Sequence, residues 1–354
     1  MTDLRVAVNA SVVGERPSGL GRYTLSLIDA LERGGAPLAV HRTASSIIRR
    51  DRGLARHALR LLWCQTALRR RVHGGNADAL LNPLPEGMLF ASVPQVTVLH
   101  DLIPLAFPTQ YPRQQWYFRH FVPAILRRSR MVVAVSEATR QHGAATYGLP
   151  AERTCVIPPG YDRALFGTEG PVVDDGGAPA VLFVGNLLPH KNVPRLIDAL
   201  AIVSRRSAVR LVIAGWGRQR EVARLEARAR AAGVTMELLS YVPAEQLAAL
   251  YRGARVVVVP SLAEGFGLTA LEAMASGTPV VASNTTSLPE VVGDAGLMVD
   301  PRDPEAIAEA IVRILTDDAL HKELRARGIA RAATFSWERT ARELLHVLTM
   351  AARA

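Results

Sequence analysis

Cysteine and lysine are scarce in this 354-residue chain, which contains two residues of each. Cys64 and Cys155 are too few for a disulfide framework, so the default expectation is a reducing, cytoplasmic compartment. A run of about 18 apolar residues is also missing, and no transmembrane helix is expected. The opening sequence MTDLRVAVNA lacks the basic and apolar regions of a secretory signal. What remains is a globular chain whose length suits two domains.

Aromatic residues make up only 5% of the chain, and no basic patch carries the interleaved aromatics that are typical of nucleic-acid binding. The metal-binding patterns C-x-x-C, H-E-x-x-H and D-x-D are absent, as is the G-x-S-x-G nucleophile elbow. The sequence therefore predicts no nucleic-acid partner, no bound metal and no cofactor.

Acidic residues are too few to balance the arginines of the first half. The net charge is +10, and residues 1–170 carry 21 arginines against 12 acidic residues. Residues 171–354 are nearly balanced, with 21 basic against 20 acidic residues. Such a surplus attracts phosphate-bearing partners, meaning nucleic acid, anionic lipid head groups or a diphosphate substrate.

Short apolar runs alternate with helical patterns along the whole chain. The predicted strands are LRVAVNA, ADALLNP, QVTVLHD, MVVAVSE and RTCVIPP in the first half, and PAVLFVGN, VRLVIAG, MELLSYV, ARVVVVPS and TPVVAS in the second. Predicted helices lie between most of them, for example at 193–205, 219–232 and 244–252. Continuous apolar strands separated by helices indicate parallel sheets covered on both faces. The pattern predicts an α/β protein with two doubly wound, Rossmann-like domains.

A segment rich in Gly, Pro and Asp, GTEGPVVDDGGAPA at 167–180, is interpreted as the interdomain linker. It separates an N-terminal domain at 1–166 from a C-terminal domain at 167–335. The last segment, 336–354, predicts a helix with Ser336 as its N-cap. Ligands of doubly wound domains bind at the carboxyl ends of strands, so the cleft between the domains is the expected site.

The stretch PSLAEGFGLTALEAMASGTPVVAS, at 260–283, joins a predicted strand to a helix through a glycine-rich loop. Gly265 and Gly267 let a ligand approach the backbone, and the helix N-terminus suits a phosphate. Glu264 and Glu272 can accept hydrogen bonds from hydroxyl groups. A nucleotide-sugar, which carries both phosphates and hydroxyls, satisfies every part of this loop. Taken singly, either glutamate is also explained as a solvated acid, although the apolar neighbours of Glu272 argue against this.

Three further motifs place polar or flexible residues near predicted strand ends. FVGNLLPHKN, at 183–192, puts Lys191 at the start of a predicted helix, where a lysine can meet a diphosphate or remain solvated. SVVGERPSGLGRYTLSL, at 11–27, puts Gly21 on a loop before a helix, which a plain turn explains equally well. VLHDLIP puts His100 and Asp101 at a strand end, either to contact a ligand or as a buried structural histidine.

Residues 42–71 contain nine arginines and one aspartate, interspersed with leucines and Trp63. This composition fits an amphipathic face resting on an anionic membrane. It fits equally well a solvated basic helix with an apolar stripe toward the core.

Together these motifs resemble glycosyltransferase family 4, the retaining enzymes of the GT-B fold. The resemblance runs from RPSGLGRYTLSL to FSWERTARELL, and its most specific element is the E-x7-E pattern in EGFGLTALE. The segments HDLIPLAFP, VSEATR, VIPPGYD, SYVPAEQLAALYRGARVVVVPS and GTPVVASNTTSLPEVVGDAGLMVDP are similar to the family's framework. Within the family, the chain is most similar to bacterial mannosyltransferase-like members that build surface polysaccharide. The implied fold is two Rossmann-like domains facing across a cleft, with the C-terminal helix crossing back to the N-terminal domain.

The resemblance implies roles for individual residues, with Glu264, His100 and Lys191 as the catalytic set. Glu264 contacts the hydroxyls of the donor sugar, His100 lies beside the transferred sugar, and Lys191 neutralises the diphosphate leaving group. Glu272 holds the ribose, and Gly21 approaches the diphosphate from the N-terminal, acceptor-binding domain. The other implied donor-binding residues of the C-terminal domain are Gly185, Asn186, Phe266, Gly267 and Leu268.

Two positions depart from the family pattern, because Asn186 and His190 stand where many members have arginine. The resemblance then implies that Lys191, His190, helix N-termini and Arg195 stabilise the diphosphate. This changes the expected phosphate contacts but not the family.

The implied activity is a metal-independent transfer of a hexose that forms an α-glycosidic bond. The first expectation for the donor is GDP-mannose and the next is a UDP-hexose, with a saccharide or polyprenyl-linked acceptor at the inner face of the cell membrane. The alternatives are another GT-B chemistry, such as an epimerase or phosphorylase, and a non-catalytic binder of nucleotide-sugars or polyanions. A folded Glu264→Ala variant should lose turnover if the protein is a transferase, and should be unaffected if it binds polyanions.

Overall fold

Two six-stranded sheets, all of whose strand pairs are parallel, form the framework of the computed structural model, which describes residues 4–14, 19–42, 54–173 and 176–353. The chain divides into two compact units. The first comprises Met1–Gly160 and Ser336–Ala354, and the second comprises Tyr161–Phe335. Each unit contains one sheet, which confirms the predicted α/β class with two doubly wound halves.

The first unit has the strand order β2-β1-β3-β4-β5-β6. Its strands are β1 (Val6–Asn9), β2 (Leu38–His41), β3 (Ala79–Asn82), β4 (Gln95–Leu99), β5 (Met131–Ala134) and β6 (Thr154–Val156). Its helices before the crossover are α1 (Gly19–Arg33), α2 (Leu54–Trp63), α3 (Arg69–Gly74), α4 (Ile103–Ala106), α5 (Pro112–His120), α6 (Val122–Arg128) and α7 (Glu137–Tyr147). A π-helical turn, Cys64–Leu68, joins α2 to α3. The strand order reverses between β1 and β3, and ligands of doubly wound domains typically bind at the carboxyl ends of the strands at such a reversal point.

The last helix, α15 (Trp337–Arg353), packs on α1 and completes the first unit. Ser336 caps it as predicted, since its hydroxyl accepts a hydrogen bond from the Arg339 amide at 3.1 Å. Thr340 then donates its hydroxyl proton to the carbonyl of Pro158 at 2.7 Å. The side chains of Leu344 and Leu348 are buried, as the apolar stripe of an amphipathic helix requires.

The second unit has the strand order β12-β11-β10-β7-β8-β9. Its strands are β7 (Ala180–Val184), β8 (Arg210–Ala214), β9 (Met236–Leu239), β10 (Val256–Val259), β11 (Val280–Ser283) and β12 (Leu297–Val299). Its helices are α8 (Val193–Val203), α9 (Gln219–Ala231), α10 (Ala244–Gly253), α11 (Leu268–Ala275), α12 (Leu288–Val292), α13 (Pro304–Thr316) and α14 (Asp318–Ala332). This is the Rossmann order, and its reversal point lies between β7 and β10.

The core of the second unit explains why its strands are apolar throughout. Alternate residues of one strand point to opposite faces of a sheet. Phe183 packs into a cluster that includes Leu196 of α8 and Ile311 of α13. Leu182, its neighbour on β7, is equally buried and points to the opposite face. Each fully buried side chain of this size contributes about 1.5–3 kcal/mol relative to an exposed one.

Ten of the twelve strands of the described residues lie where the sequence predicts them, and the helices predicted at 193–205, 219–232 and 244–252 are present with slightly different ends. The sequence analysis does not predict β2 and β12. Both are edge strands that pair on one side only. Neither presents a long continuous apolar run, and the signal of a fully buried strand is therefore weak.

The chain crosses into the second unit at Gly160–Tyr161, before the segment interpreted as the linker. Arg252 holds the following residues, because its guanidinium donates to the carbonyls of Pro171 at 2.7 Å and Gly167 at 3.2 Å. The described part of the 167–180 segment therefore packs on the second unit. Its Gly, Pro and Asp content predicts irregular backbone correctly but does not indicate what that backbone contacts.

Candidate active site

The reversal point of the second sheet brings two of the sequence motifs together. The loop at 185–192 follows β7, the loop at 260–267 follows β10, and these two strands are neighbours in the sheet. Gly185 has a φ of +149°, and a Cβ added to Gly215 at the end of β8 would lie 1.8 Å from the Gly185 carbonyl oxygen. Only glycine permits that approach of the β7 and β8 loops.

Lys191 and Glu264 form an ion pair at this point, with 2.6 Å between Lys191 Nζ and Glu264 Oε1. The lysine side chain is 16% exposed and the glutamate side chain 11% exposed. Ser261 donates its hydroxyl proton to the same carboxylate oxygen at 2.7 Å. Glu264 Oε2 has no hydrogen-bond partner in the described part of the chain, and an ammonium group has three N–H donors. The pair thus retains both an acceptor and donors for a ligand.

Backbone contacts between the two loops fix this pair. The Leu262 amide donates to the His190 carbonyl at 2.7 Å. Asn192 adopts a left-handed φ of +61°, and its side-chain amide donates to the carbonyls of Pro260 at 3.0 Å and Pro301 at 2.6 Å. Lys191 ends a short 3₁₀ turn, Pro189–Lys191, and α8 begins only at Val193. The prediction that Lys191 begins the helix is therefore wrong, because Asn192 interrupts the helical backbone.

His190 is 2% exposed. Burial and the neighbouring Lys191 cation lower the pKa of His190 to about 4, against a smaller opposing effect of Glu264. The imidazole is therefore neutral near pH 7 and supplies no positive charge to a diphosphate. Arg195 pairs with Asp198 at 3.6 Å in a partly exposed ion pair, whereas Lys191 binds Glu264 of the E-x7-E loop directly.

The Glu264 loop depends on glycine and on two hydroxyl residues that the sequence analysis did not single out. Gly267 has a φ of +114°, and an added Cβ would lie 2.8 Å from Leu288 Cδ2. The Glu264 amide donates to Thr286 Oγ1 at 3.0 Å. Ser287 Oγ lies 2.7 Å from the Phe266 carbonyl oxygen and 3.0 Å from that of Glu264. The sequence feature that could have indicated Thr286 and Ser287 is the polar run NTTS directly after β11.

Gly267 is the N-cap of α11, which begins at Leu268. Glu272 lies one turn into this helix and accepts a hydrogen bond at Oε2 from the hydroxyl of Tyr251 at 3.0 Å. Asn186 caps its own turn, since its side-chain oxygen accepts from the Leu188 amide at 3.3 Å. The predicted donor-site residues of the C-terminal half thus belong to loops and a helix at one edge of one sheet.

The other two predicted site residues, His100 and Gly21, belong to the first unit. His100 Nε2 donates to the Pro83 carbonyl at 2.8 Å, because a carbonyl oxygen can only accept. Burial lowers the pKa of His100 to about 4, so the ring is neutral and Nδ1 is its acceptor nitrogen. The ring of Tyr23 meets it edge-on at 4.5 Å between centroids.

Gly21 is not on a loop, because α1 begins at Gly19 and Gly21 is buried in its first turn. Residues 15–18 of the predicted loop lie outside the described residues.

The reversal point of the first sheet contains a network of buried polar side chains. Asn9 at the end of β1 donates to the side-chain oxygen of Asn82 at 3.3 Å and to the Glu86 carbonyl at 2.7 Å. The guanidinium of Arg60 binds both carboxylate oxygens of Glu86, at 3.0 and 2.7 Å. Arg60 belongs to the basic stretch at 42–71, whose residues 43–53 lie outside the described residues. Its ion pair with Glu86 is buried, so Arg60 is not part of a solvated or membrane-facing surface.

The described ranges bring no three His, Cys, Asp or Glu side chains into a metal-binding group. In the same ranges, no helix combines the length and the apolar character that crossing a membrane requires.

Two family descriptions match almost the whole chain. The one described as glycosyl transferases group 1 matches residues 171–332, and glycosyltransferase family 4 matches residues 17–165. Among individual proteins, the chain is 35% identical to O-antigen chain mannosyltransferase B of Escherichia coli over 69% of its own length and 67% of that protein. It is 39% identical to D-inositol 3-phosphate glycosyltransferase of Acidothermus cellulolyticus over 57% of its length, and this match spans about half of that relative.

Solved structures show the same fold at lower identity. Sucrose-phosphate synthase from Thermosynechococcus elongatus has a TM-score of 0.81 and 24% identity, with 98% of both chains covered. Anabaena HepE in complex with UDP and glucose has a TM-score of 0.74 and 20% identity, with 98% of this chain and all of that one covered.

Proposed function

Because the chain belongs to glycosyltransferase family 4 and is a transferase with a GT-B fold, we propose that it moves a hexose from a nucleotide-diphosphate donor to a saccharide or lipid-linked saccharide acceptor. GDP-mannose is the proposed donor, and the product has an α-glycosidic bond. The observation that carries this proposal is the Lys191–Glu264 pair, which sits with Glu272 at the reversal point of the second sheet.

The donor proposal combines chemistry with relatives. A nucleotide-sugar needs a cation for its diphosphate and hydroxyl acceptors for its sugar and ribose. Lys191 offers the cation, Glu264 Oε2 offers an acceptor, and Glu272 offers the second carboxylate. Mannose is proposed because two kinds of E. coli relative are named as mannosyltransferases, O-antigen chain mannosyltransferase B and WbdA, the latter 30% identical.

In the proposed reaction, the bond between the anomeric carbon and the diphosphate oxygen breaks, and the sugar develops positive charge. Lys191 and the N-terminus of α11 stabilise the negative charge on the leaving diphosphate. The acceptor hydroxyl forms the new bond on the same face of the sugar and gives its proton to the leaving phosphate. Glu264 orients the sugar through its hydroxyls. Gly21 and His100 are proposed to contribute from the first unit.

The test is a donor panel with two readouts. Melting temperature is measured with GDP, UDP, GDP-mannose and UDP-hexoses, since a ligand of the native state raises stability by mass action. Release of nucleoside diphosphate is then followed with added saccharide acceptors. GDP-mannose should shift the melt and be turned over, and Glu264→Ala should lose turnover while it stays folded. Stabilisation by polyanions with no response to any nucleotide would contradict the proposal.

A UDP-hexose is the second candidate donor, because solved neighbours of the same fold hold UDP with glucose. The acceptor has two candidates as well. The WaaG neighbour is titled as a glycosyltransferase of lipopolysaccharide biosynthesis, which favours a saccharide, whereas the D-inositol 3-phosphate relatives favour a phosphorylated polyol. Product analysis with both acceptor types separates them.

We also propose peripheral contact with an anionic membrane through the first unit. Leu62 is 59% exposed on α2, and the side chains of Arg69, Arg70 and Arg71 are exposed on α3. Apolar and basic side chains of this kind favour an anionic bilayer surface. Co-sedimentation with anionic but not neutral vesicles should be reduced by Leu62→Glu and unchanged by the control Arg206→Gln in the second unit. Equal binding to both vesicle types would contradict the contact.

A further inference from the structure

Glu272 is held by a buried tyrosine from the preceding helix. The hydroxyl of Tyr251 on α10 donates to Glu272 Oε2 on α11 at 3.0 Å. The ring of Tyr251 is fully buried, whereas Glu272 is only partly buried. The contact therefore runs from the interior of the unit to a carboxylate at its surface.

Tyr251 is a permanent donor in this contact. Burial raises its pKa well above 10, and the charge of Glu272 and the hydrogen bond to it raise the pKa further. The phenol thus stays protonated, and remains a donor, near neutral pH. Its ring is also fixed in place, since Phe166 meets it edge-on at 5.8 Å and Thr278 donates to its backbone carbonyl.

A buried hydroxyl that stays protonated favours the orientation of Glu272 in which the carboxylate accepts its hydrogen bond. A carboxylate has about four lone-pair sites, so a bond to Tyr251 is compatible with acceptance from further hydroxyls. The vicinal 2′- and 3′-hydroxyls of a ribose are two adjacent donors that a single carboxylate can accept from. A partly buried carboxylate that is oriented in advance discriminates against a ligand without those hydroxyls, because the hydrogen bonds that the hydroxyls donate to it are then lost.

We propose that Tyr251 is a positioning residue that sets the preference of the site for ribonucleotides by orienting Glu272 toward the ribose diol. This inference rests on the proposed function, in which Glu272 binds the ribose of a nucleotide-sugar. Tyr251 itself touches no substrate and acts only through the carboxylate.

The experiment compares affinities for GDP and 2′,3′-dideoxy-GDP by calorimetry in the full chain, with UDP and its dideoxy analogue as a parallel pair. The wild type should prefer the ribonucleotide. In Tyr251→Phe, affinity for the ribonucleotide should fall about tenfold, the size expected for a hydrogen bond to a charged group, and affinity for the dideoxy analogue should stay nearly constant. The ratio of the affinity for the ribonucleotide to the affinity for its dideoxy analogue, the preference ratio, should therefore fall about tenfold.

Thr278→Val is the matched control. It removes a hydrogen bond to the backbone of Tyr251 but leaves the bond between phenol and carboxylate in place. It should keep the wild-type preference ratio. In a Glu272→Gln background, Tyr251→Phe should produce no further change in the ratio, because the two residues act as one unit.

The outcomes separate the inference from the function on which it rests. If the wild type binds neither nucleotide of either pair, the proposed function is wrong. If the wild type discriminates and Tyr251→Phe keeps the ratio, or loses both affinities equally, Tyr251 has a structural role and the inference is wrong. If Tyr251→Phe does not fold, Glu272→Gln decides, since a retained ribose preference in that variant also overturns the inference.

Discussion

The two units place a cation–carboxylate pair at the reversal point of their sheets, and the two pairs have different geometry. In the first unit, Arg60 occupies both oxygens of Glu86. In the second, Lys191 and Ser261 share one oxygen of Glu264, and the other has no partner in the described residues. The side chains are similarly buried, at 13% and 8% exposure in the first pair and 16% and 11% in the second.

Burial therefore does not distinguish the two pairs. The difference lies in the number of hydrogen-bonding positions that remain. A bidentate arginine satisfies a carboxylate and stabilises the loop that carries it. Lysine acts as a point charge, and Lys191 makes one hydrogen bond to Glu264. Both side chains can therefore form further hydrogen bonds with a ligand. The first pair is expected to support the fold, and the second to act on a substrate.

The largest expected effect is on folding, at the first pair. Arg60→Met removes the guanidinium that binds both oxygens of the buried Glu86 carboxylate, and breaking a buried pair in this way costs about 3–5 kcal/mol of unfolding free energy. Chemical denaturation measures it. The double variant Arg60→Met/Glu86→Leu should recover most of the loss. If Arg60→Met is as stable as the wild type, the first pair does not support the fold and the contrast between the two pairs is lost.

The second pair should instead affect turnover. Lys191→Met removes the cation proposed to stabilise the leaving diphosphate, and kcat should fall about 10²–10³-fold, as when one transition-state donor is removed. Lys322→Met is the control, since Lys322 is the chain's other lysine and lies exposed on α14. Unchanged kcat in Lys191→Met, or equal losses in both variants, would contradict the assigned role.

A third test uses pH. The pKa of His190 is lowered from 6.5 to about 4 in the folded state, so the unfolded chain binds more protons between these values. This makes stability fall as the pH decreases from 6.5 toward 4, by on the order of 2 kcal/mol at pH 5 for one such histidine. The loss in unfolding free energy between pH 7 and pH 5 should be smaller by that amount in His190→Gln. Identical losses would show that His190 titrates normally.

The smallest effect is expected from Ser287→Ala, which removes the hydroxyl that binds the backbone of the Glu264 loop. The loss in unfolding free energy should be about 1 kcal/mol. The control Ser283→Ala removes a buried hydroxyl that donates to the carbonyl of Val259 at 3.3 Å, on β10 and not within the loop itself. Only Ser287→Ala should also raise KM for the donor. An equal rise in the control would mean that the loop is not specifically held by Ser287.

Fold class was largely predictable because apolar strands and helical periods repeat along the chain. Glu264 and Lys191 could be singled out from the sequence, because each lies in a glycine-containing segment directly after a predicted apolar strand. The ion pair between them was not, since 73 residues separate them in the sequence. Tyr251, Thr286 and Ser287 went unnoticed because a tyrosine in a helix and hydroxyls in a turn are common features with many structural uses.

The sequence by itself determined most of the secondary structure, the presence of two parallel sheets and the family, since these follow from local periodicity and contiguous motifs. Only the tertiary structure decided which charges meet. The pattern of arginines at 42–71 could not show that Arg60 turns inward to Glu86, and the E-x7-E motif could not show that Tyr251 supports its second glutamate. Such pairings depend on strand order and on the packing of helices distant in sequence, and burial makes each pairing energetically decisive.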